Sequence, residues 1–583
     1  MDTLSDKARL QLIDTIRASI VGDAEAVEGP FGLRTFTYAD YTASGRSLSF
    51  IEDYIHDEVL SKYANTHTEI SGTGLQTTRF REQARDIVRD AVGATEDDAV
   101  IFCGSGATGA VNKLITILGL RLPCALNHRY SLANHIPVEE RPVVFIGPYE
   151  HHSNELPWKE TICDVEVINE DSDGGIDCDM LVEKLQQYSH RPVKIGSFSA
   201  ASNVTGITSD VKGISNLLHA HGALAFWDYA AAGPYLEIQM NSEDGYSDAL
   251  FLSPHKFIGG PGTPGILVVK RALCTNPVPS EPGGGTVLWV NPTEHAYLED
   301  VEEREEGGTP DIIGSIRAGL VFQLKQAVGV EFIRQRENSF VRRCIATWGE
   351  NPNIVILGNH ERDRISIVSF LIRHRQRYLH WGFTATLLND LFGIQSRGGC
   401  SCAGPYGHYL LGIEPMPSEA MSVLIHQGYE AIRPGWVRLN FNYFITERVF
   451  DFLLRAVDFV ATHGWKLLPL YRLDVETGRW QHRDGYPEPP MRLREISYAR
   501  GHMEYASHHA QVPDSVLPGY FVEAERILAA WLDRVDQESL VDPCLDSEFE
   551  RWRWFPLPCE VLSELRHEEA STECCRAFEP RDV

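Results

Sequence analysis

The stretch SPHKFIGGPGTPG (253–265) follows a short apolar run, and it places Lys256 where an amine can form an imine with a carbonyl. Ser253 and His255 flank it, and small polar neighbours suit a phosphate. A lone lysine is usually a solvated charge, yet a Pro-His pair on one side and a glycine run on the other are unusual for a plain surface turn. In CGSGATGAVNKL (103–114), an apolar run opens through glycines into a helical pattern. Free backbone N–H groups at such a helix start bind phosphate. The run also matches G-x-G-x-x-G, the dinucleotide fingerprint, which needs an acidic residue about twenty positions on. Residues 122–138 contain no Asp or Glu, so a single phosphate fits better. The competing reading is a tight packing turn. FWDYAAAGPY (226–235) ends an apolar run on Asp228. An acid there can keep a pyridine nitrogen protonated, although an isolated Asp is more often a helix N-cap. YEHHSNELPW (149–158) offers an imidazole, His151, that can stack on a flat ring. Two adjacent histidines also raise a metal, but no HExxH spacing or second Cys/His pair accompanies them.

The elements that must position these groups are legible around them. AVIFC (99–103), VVFIG (143–147), VEVIN (165–169), KIGSFSA (194–200), ALAFWD (223–228), ALFLS (249–253) and ILVVK (266–270) read as buried strands. DMLVEKLQQY (179–188) and DVKGISNLLHAHG (210–222) have helical spacing between them. The alternation predicts an α/β fold with a mostly parallel, doubly wound sheet. EPGGGTV (281–287) and the acidic LEDVEEREEGG (298–308) read as loop. A second block spans 335–465. Within it ILGNHERDRISIVSFLIR (356–373) reads as a strand pair, TATLLNDLF (384–392) as a helix and WVRLNFNYF (436–444) as a strand. ERVFDFLLRAVDFVATHG (447–464) reads as an amphipathic helix ending at Gly464. From 466 the chain turns rich in Trp, Arg, Pro and Glu, with one long helix expected over 521–534 and no catalytic pattern.

Taken in order, EHHSN, SNVTG, the strand-end Asp, SPHK and RGGCSCA resemble the class V aminotransferase and cysteine desulfurase family of fold-type I pyridoxal-phosphate enzymes. The resemblance covers roughly 35–460. It implies a large cofactor domain over 35–334 with a seven-stranded sheet and a small α+β domain over 335–465. A segment 1–34 precedes them and an extension 466–583 follows. The cofactor implied is pyridoxal 5′-phosphate, with Lys256 as its Schiff-base partner. By the same resemblance His151 stacks on the ring, Asp228 pairs with the ring nitrogen and Asn203 approaches the ring hydroxyl. Ala107 through its backbone, Thr108, Ser253 and His255 hold the phosphate. EGGTPDI (306–312) resembles the loop that reaches the phosphate of a second subunit, which places Thr309 there and implies a homodimer.

RGGCSCAGPYGH (397–408) matches the spacing of group II desulfurases and selenocysteine lyases, an Arg and then a catalytic Cys five positions on: Arg397 and Cys402. WVRLNFNY (436–443) resembles the segment whose Arg, here Arg438, binds the substrate carboxylate. A planar guanidinium suits that group. The implied reaction removes sulfur from L-cysteine, with Lys256 as base and Cys402 as the thiolate that takes the sulfur, giving alanine. Three features depart from the family. Ala231 stands where desulfurases carry Gln, the gap from Cys402 to Arg438 is long, and Cys400 adds a second thiol whose simplest role is packing. The alternatives are a C–S lyase that releases pyruvate, an aminotransferase or epimerase, and a catalytically silent sulfur-relay protein.

The whole chain bounds these readings. Its 583 residues exceed one core, and 43% apolar content is that of a globular protein. A net charge of −28 disfavours nucleic acid and anionic membrane as partners. No window approaches a membrane span, and acidic residues interrupt the first thirty positions, unlike a signal peptide. A cytoplasmic protein acting on a small thio-amino acid, with a sulfur-acceptor protein as a further partner, is the expectation. The twelve scattered cysteines read as free thiols. The Cys574/Cys575 pair reads as part of an ordinary terminus rather than a sulfur relay.

Overall fold

All seven apolar runs between 99 and 270 are strands of one sheet in a computed structural model that describes residues 4–66, 68–485, 488, 490–540, 545–566 and 578–581. Numbering only sheet strands, these are β1 (Asp98–Cys103), β2 (Val143–Ile146), β3 (Asp164–Val167) and β4 (Lys194–Ser199). The remaining three are β5 (Leu224–Asp228), β6 (Ala249–Leu252) and β7 (Gly265–Lys270). Their order across the sheet is β1-β7-β6-β5-β4-β2-β3. Only β7 runs antiparallel to its neighbours, so the sheet is mostly parallel, as the alternating pattern predicts.

The strands are apolar on both faces because helices cover both. Alternate residues enter two separate cores: Val100, Phe145, Phe198 and Trp227 on one side, Ile101, Val144, Phe226 and Phe251 on the other. The reactive stretches all follow the carboxyl ends of parallel strands: β1, β2, β4, β5 and β6. That is the edge of an open α/β sheet where ligands bind.

A second, antiparallel sheet holds β8 (Ile354–Ile356), β9 (Ile367–His374), β10 (Arg397–Gly399) and β11 (Trp436–Asn440), in the order β8-β9-β11-β10. The expected strand pair, helix and strand are therefore present, with the helix over Trp381–Phe392. Helix Val330–Gly349 runs across the 334/335 boundary drawn from sequence.

Two local expectations are corrected. The acidic stretch 298–308 is not a solvated loop: it contains helix Val301–Arg304, and Glu302, Glu305 and Glu306 are buried. Glu306 accepts from the Phe102 backbone N–H (2.6 Å) and from Arg85 (2.8 Å), and it also pairs with Arg81. Buried acids persist only with such partners, and the partners lie two hundred residues away. Helix Glu447–His463 ends at Gly464, as the sequence predicts, and Gly464, with φ −58°, starts a 3₁₀ run, Gly464–Leu470. A Cβ at Gly464 would meet Val460 and Leu387 at 2.9 and 3.0 Å, so the position is small for packing. The long helix of the extension spans Leu517–Leu532, slightly earlier than expected.

The long gap before Arg438 and the extension pack together. The gap carries helices Gly404–Leu411 and Pro415–His426. Trp554 donates its indole N–H to the Ile432 carbonyl (3.0 Å), Ala431 N–H donates to Val475 (3.1 Å), and Tyr429 meets Phe549 with ring centroids 5.4 Å apart. Arg581 N–H donates to the Leu410 carbonyl (3.1 Å). Among the described residues no helix is long and apolar enough to cross a membrane. Cys574 and Cys575 lie outside the described residues.

Candidate active site

Both domains contribute to a cavity of about 210 Å³ at the carboxyl edge of the large sheet. Its lining includes Lys256, His151, Asp228, Asn203, Ser253, His255, Ala107, Thr108, Arg397 and Arg438. Ten residues chosen from seven separate sequence stretches thus converge. Lys256 closes the 3₁₀ turn Pro254–Lys256, one step beyond β6. Burial lowers its ammonium from 10.5 to about 8, with Asp228 opposing the shift and Arg438 and Arg397 adding to it. An amine so shifted is a better nucleophile near neutral pH.

Asp228, the last residue of β5, is buried and accepts from the Ala230 N–H (2.7 Å). Desolvation raises its carboxyl above the usual range, while that backbone bond and Lys256 counter the rise. His151 caps helix His152–Lys159, and its Nδ1 accepts from Ser153 N–H (3.1 Å). Burial, with the positive charge of Lys256, pushes the imidazole down to about 3. It is a neutral ring, available for stacking rather than for proton transfer.

The glycine-rich turn opens helix Gly106–Ile117. Gly106 has φ +57°, and a Cβ there would lie 2.7 Å from both His255 Cε1 and Ser253 Oγ. The turn therefore requires glycine at that residue. Ala107 N–H donates to Ser253 Oγ (2.8 Å), and Thr108 Oγ1 donates to Ser153 Oγ (2.7 Å). These donors and hydroxyls form a cradle of the kind that holds an anion. Burial and Lys256 lower His255 to about 4, so it is neutral.

On the opposite wall, β10 and β11 place Arg397 across from Arg438. Arg438 is buried and donates to the Asn203 carbonyl (2.9 Å) and to Asp40 Oδ1 (2.9 Å). Arg397 approaches the other oxygen of Asp40 at 4.0 Å. Asp40 therefore orients both guanidiniums, and the sequence reading missed it because a single Asp in TYADYTASG carries no spacing signal. Thr42 was missed for the same reason. Four polar atoms of the lining residues are buried without a hydrogen-bond partner among the described residues: Thr42 Oγ1, Asn203 Oδ1, Ser401 Oγ and Arg438 Nε. Such atoms are costly unless a bound group satisfies them.

Cys402 is half-buried, and its neighbour Ser401, not Cys402 itself, lines the cavity. Both have positive φ, 52° and 56°, in a turn closed by Ala403 N–H to the Cys400 carbonyl (3.1 Å). Three bonds hold the turn from outside. Asn203 donates to the Ser401 carbonyl (2.8 Å), His152 N–H donates to the Cys402 carbonyl (2.8 Å), and Gly404 N–H donates to His152 Nε2 (3.0 Å). Asn203 thus uses its amide N–H₂ on the cysteine turn and leaves its oxygen for the cavity. Ala231 also lines the cavity, where it offers no hydrogen bond. Thr309 is not brought in: it is exposed, near Asn65.

The family model for aminotransferase class V matches residues 37–420. A probable cysteine desulfurase of Halalkalibacterium halodurans is 27% identical over 377 residues, covering 64% of this chain and 85% of that protein. A cysteine desulfurase of Dickeya dadantii is 25% identical over 397 residues, covering 67% and 88%. A cysteine desulfurase from Thermococcus onnurineus superposes with a TM-score of 0.60 at 22% identity, over 77% of this chain and 98% of that one. One from Escherichia coli gives 0.58 at 19%, over 76% and 97%.

Proposed function

The chain belongs to the aminotransferase class V family, and on that premise we propose that it is a pyridoxal-phosphate-dependent cysteine desulfurase, passing the sulfur of L-cysteine to Cys402 and releasing alanine. The observation that carries the cofactor is the set of unpartnered buried atoms around one amine, one carboxylate and one neutral imidazole. The residues fit the group: Ala107 N–H, Thr108, Ser253 and His255 would hold its phosphate, His151 would face its ring, Asp228 would meet its nitrogen and Asn203 Oδ1 its hydroxyl. When bound, the cofactor supplies an electron sink for charge developing at the substrate Cα.

The chain's own residues do the rest. Arg438, fixed by Asp40, and Arg397 bind the substrate carboxylate and so orient the Cα hydrogen. Lys256, shifted by burial, takes that proton and later returns one. Cys402 sits on a turn held beside the cavity, and its sulfur attacks the substrate sulfur: the S–S bond of the persulfide forms as the substrate Cβ–S bond breaks, and the electron pair left on the substrate carbon takes up a proton to give alanine. An acceptor protein then collects the sulfur. Cys402→Ser tests this assignment: alanine formation and persulfide should fall together by about a hundredfold or more. Unchanged alanine release would exclude Cys402 as the acceptor.

One observation favours a second reading. Cys402 does not line the cavity while Ser401 does, as suits a C–S lyase that releases pyruvate, so an assay of alanine against pyruvate decides between the two. We place the enzyme in a homodimer. Leu288, Trp289 and Val290 stand exposed on the hairpin strand Val287–Val290, and the exposed Thr309 is available to a second subunit's phosphate cradle. Cys103, Cys124, Cys163, Cys178, Cys274, Cys344, Cys400 and Cys402 are free thiols, which suits the reducing cytoplasm.

A further inference from the structure

A second cavity, of about 790 Å³, lies where the extension meets the small domain. One wall is helix Trp381–Phe392 and the strand segment 394–398. The other is the extension hairpin of Tyr471–Asp474 and Arg479–His482. The family model ends at 420, before the hairpin wall.

Two buried groups in the lining have no hydrogen-bond partner among the described residues: the indole Nε1 of Trp480, a residue only 4% exposed, and Ser396 Oγ. Leaving a buried donor unpaired costs free energy that a ligand acceptor recovers. The same lining brings two guanidiniums to the rim of a protein whose net charge is −28. Arg472 reaches the Gln481 side-chain oxygen at 3.4 Å, and Arg479 stands across the hairpin from Asp474. The one carboxylate of the lining, Glu488, is paired with Arg492 at 3.6 Å.

We propose that this cavity is a second ligand site, for a small organic anion that carries further hydrogen-bond acceptors, such as a phosphorylated or polycarboxylic metabolite. Its charge rests on Arg472 and Arg479, and its acceptors meet Trp480 Nε1 and Ser396 Oγ. The site shares a strand with the active site. Side chains alternate along β10 and the residues before it, so Ser396 and Gly398 face this cavity while Arg397 faces the catalytic one. A Cβ on Gly398 would fall 2.7 Å from the Trp381 ring, so strand and helix pack closely within this wall.

The test is calorimetric titration of the full-length protein saturated with pyridoxal phosphate, which fills the catalytic phosphate cradle. The probes are adenosine monophosphate and citrate, with inorganic phosphate as the control for charge alone. At least one organic probe should saturate below about 1 mM, about tenfold or more tighter than phosphate. Arg472→Ala with Arg479→Ala should weaken it about tenfold or more, and Trp480→Phe, which removes only the N–H, about threefold to tenfold. Absence of saturable binding by both organic probes up to about 10 mM overturns the proposal. Binding no tighter than phosphate, or binding unchanged in both variants, overturns it equally. Because the readout is binding and not turnover, it stands or falls apart from the desulfurase assignment.

Discussion

Replacing His152 by alanine tests how the sulfur-accepting residue is held. Ser401 and Cys402 both adopt left-handed backbone, which costs about 1–2 kcal/mol for each side-chain-bearing residue, or about 2–4 kcal/mol for the turn. The turn is held against that strain by Asn203, by the backbone N–H of His152 and by the bond from Gly404 N–H to His152 Nε2. His152→Ala removes only the last of these and leaves the backbone bond in place. A net loss of about 1–1.5 kcal/mol follows, which is about a tenfold fall in the population of the ordered turn at 1.4 kcal/mol per decade. Single-turnover persulfide formation on Cys402, read by alkylation and mass spectrometry, should slow by about tenfold. Cofactor affinity and absorbance should not change, since His152 does not line the cavity. Ser401→Gly added to His152→Ala relieves about 1 kcal/mol of strain and should restore about fivefold. An unchanged persulfide rate in His152→Ala, or equal losses of cofactor and persulfide, would refute the reasoning.

Other expectations follow from the same geometry. Glu306→Ala removes the buried carboxylate shared by Arg81 and Arg85 and leaves them only the half-exposed Glu82, and it should cost about 3–5 kcal/mol in urea unfolding; a loss under about 1 kcal/mol contradicts the pairing. Burial works against the Glu306 charge, but Arg85 and Arg81 outweigh it and hold the carboxyl below its ordinary 4.5. Its contribution is therefore full above about pH 4.5 and is lost as pH falls through the lower folded value, so Glu306→Ala should flatten the acid limb of the stability profile. Capture of pyridoxal phosphate by Lys256 needs the neutral amine, so its rate in stopped-flow absorbance should rise with pH to a midpoint of about 8; a midpoint near 10.5 would show that burial does not shift this lysine. Gly106→Ala combines left-handed strain of about 1–2 kcal/mol with a Cβ 2.7 Å from His255 and Ser253. It should weaken cofactor binding at least about tenfold in a titration of the cofactor-free protein, and wild-type affinity would count against the phosphate cradle.

The sequence by itself determined the large sheet and most of what lies at its edge. Strands buried on both faces are continuous apolar runs, so β1, β2 and β4 to β7 announce themselves. Groups that follow strand ends, such as Lys256 after β6 and Asp228 at the end of β5, inherit their place from that pattern. What only the tertiary structure decided depends on partners distant in the chain. Asp40 has no motif, yet it orients Arg397 and Arg438 almost four hundred residues later. The acidic run at 298–308 reads as solvated until Arg81, Arg85 and the Phe102 N–H are brought to it. The long gap after Cys402 and the tail after 466 look like two separate departures, and packing makes them one unit. Local periodicity encodes which residues are buried. It does not encode which buried charge meets which counter-charge, because that pairing exists only once the strands and helices have set the distances.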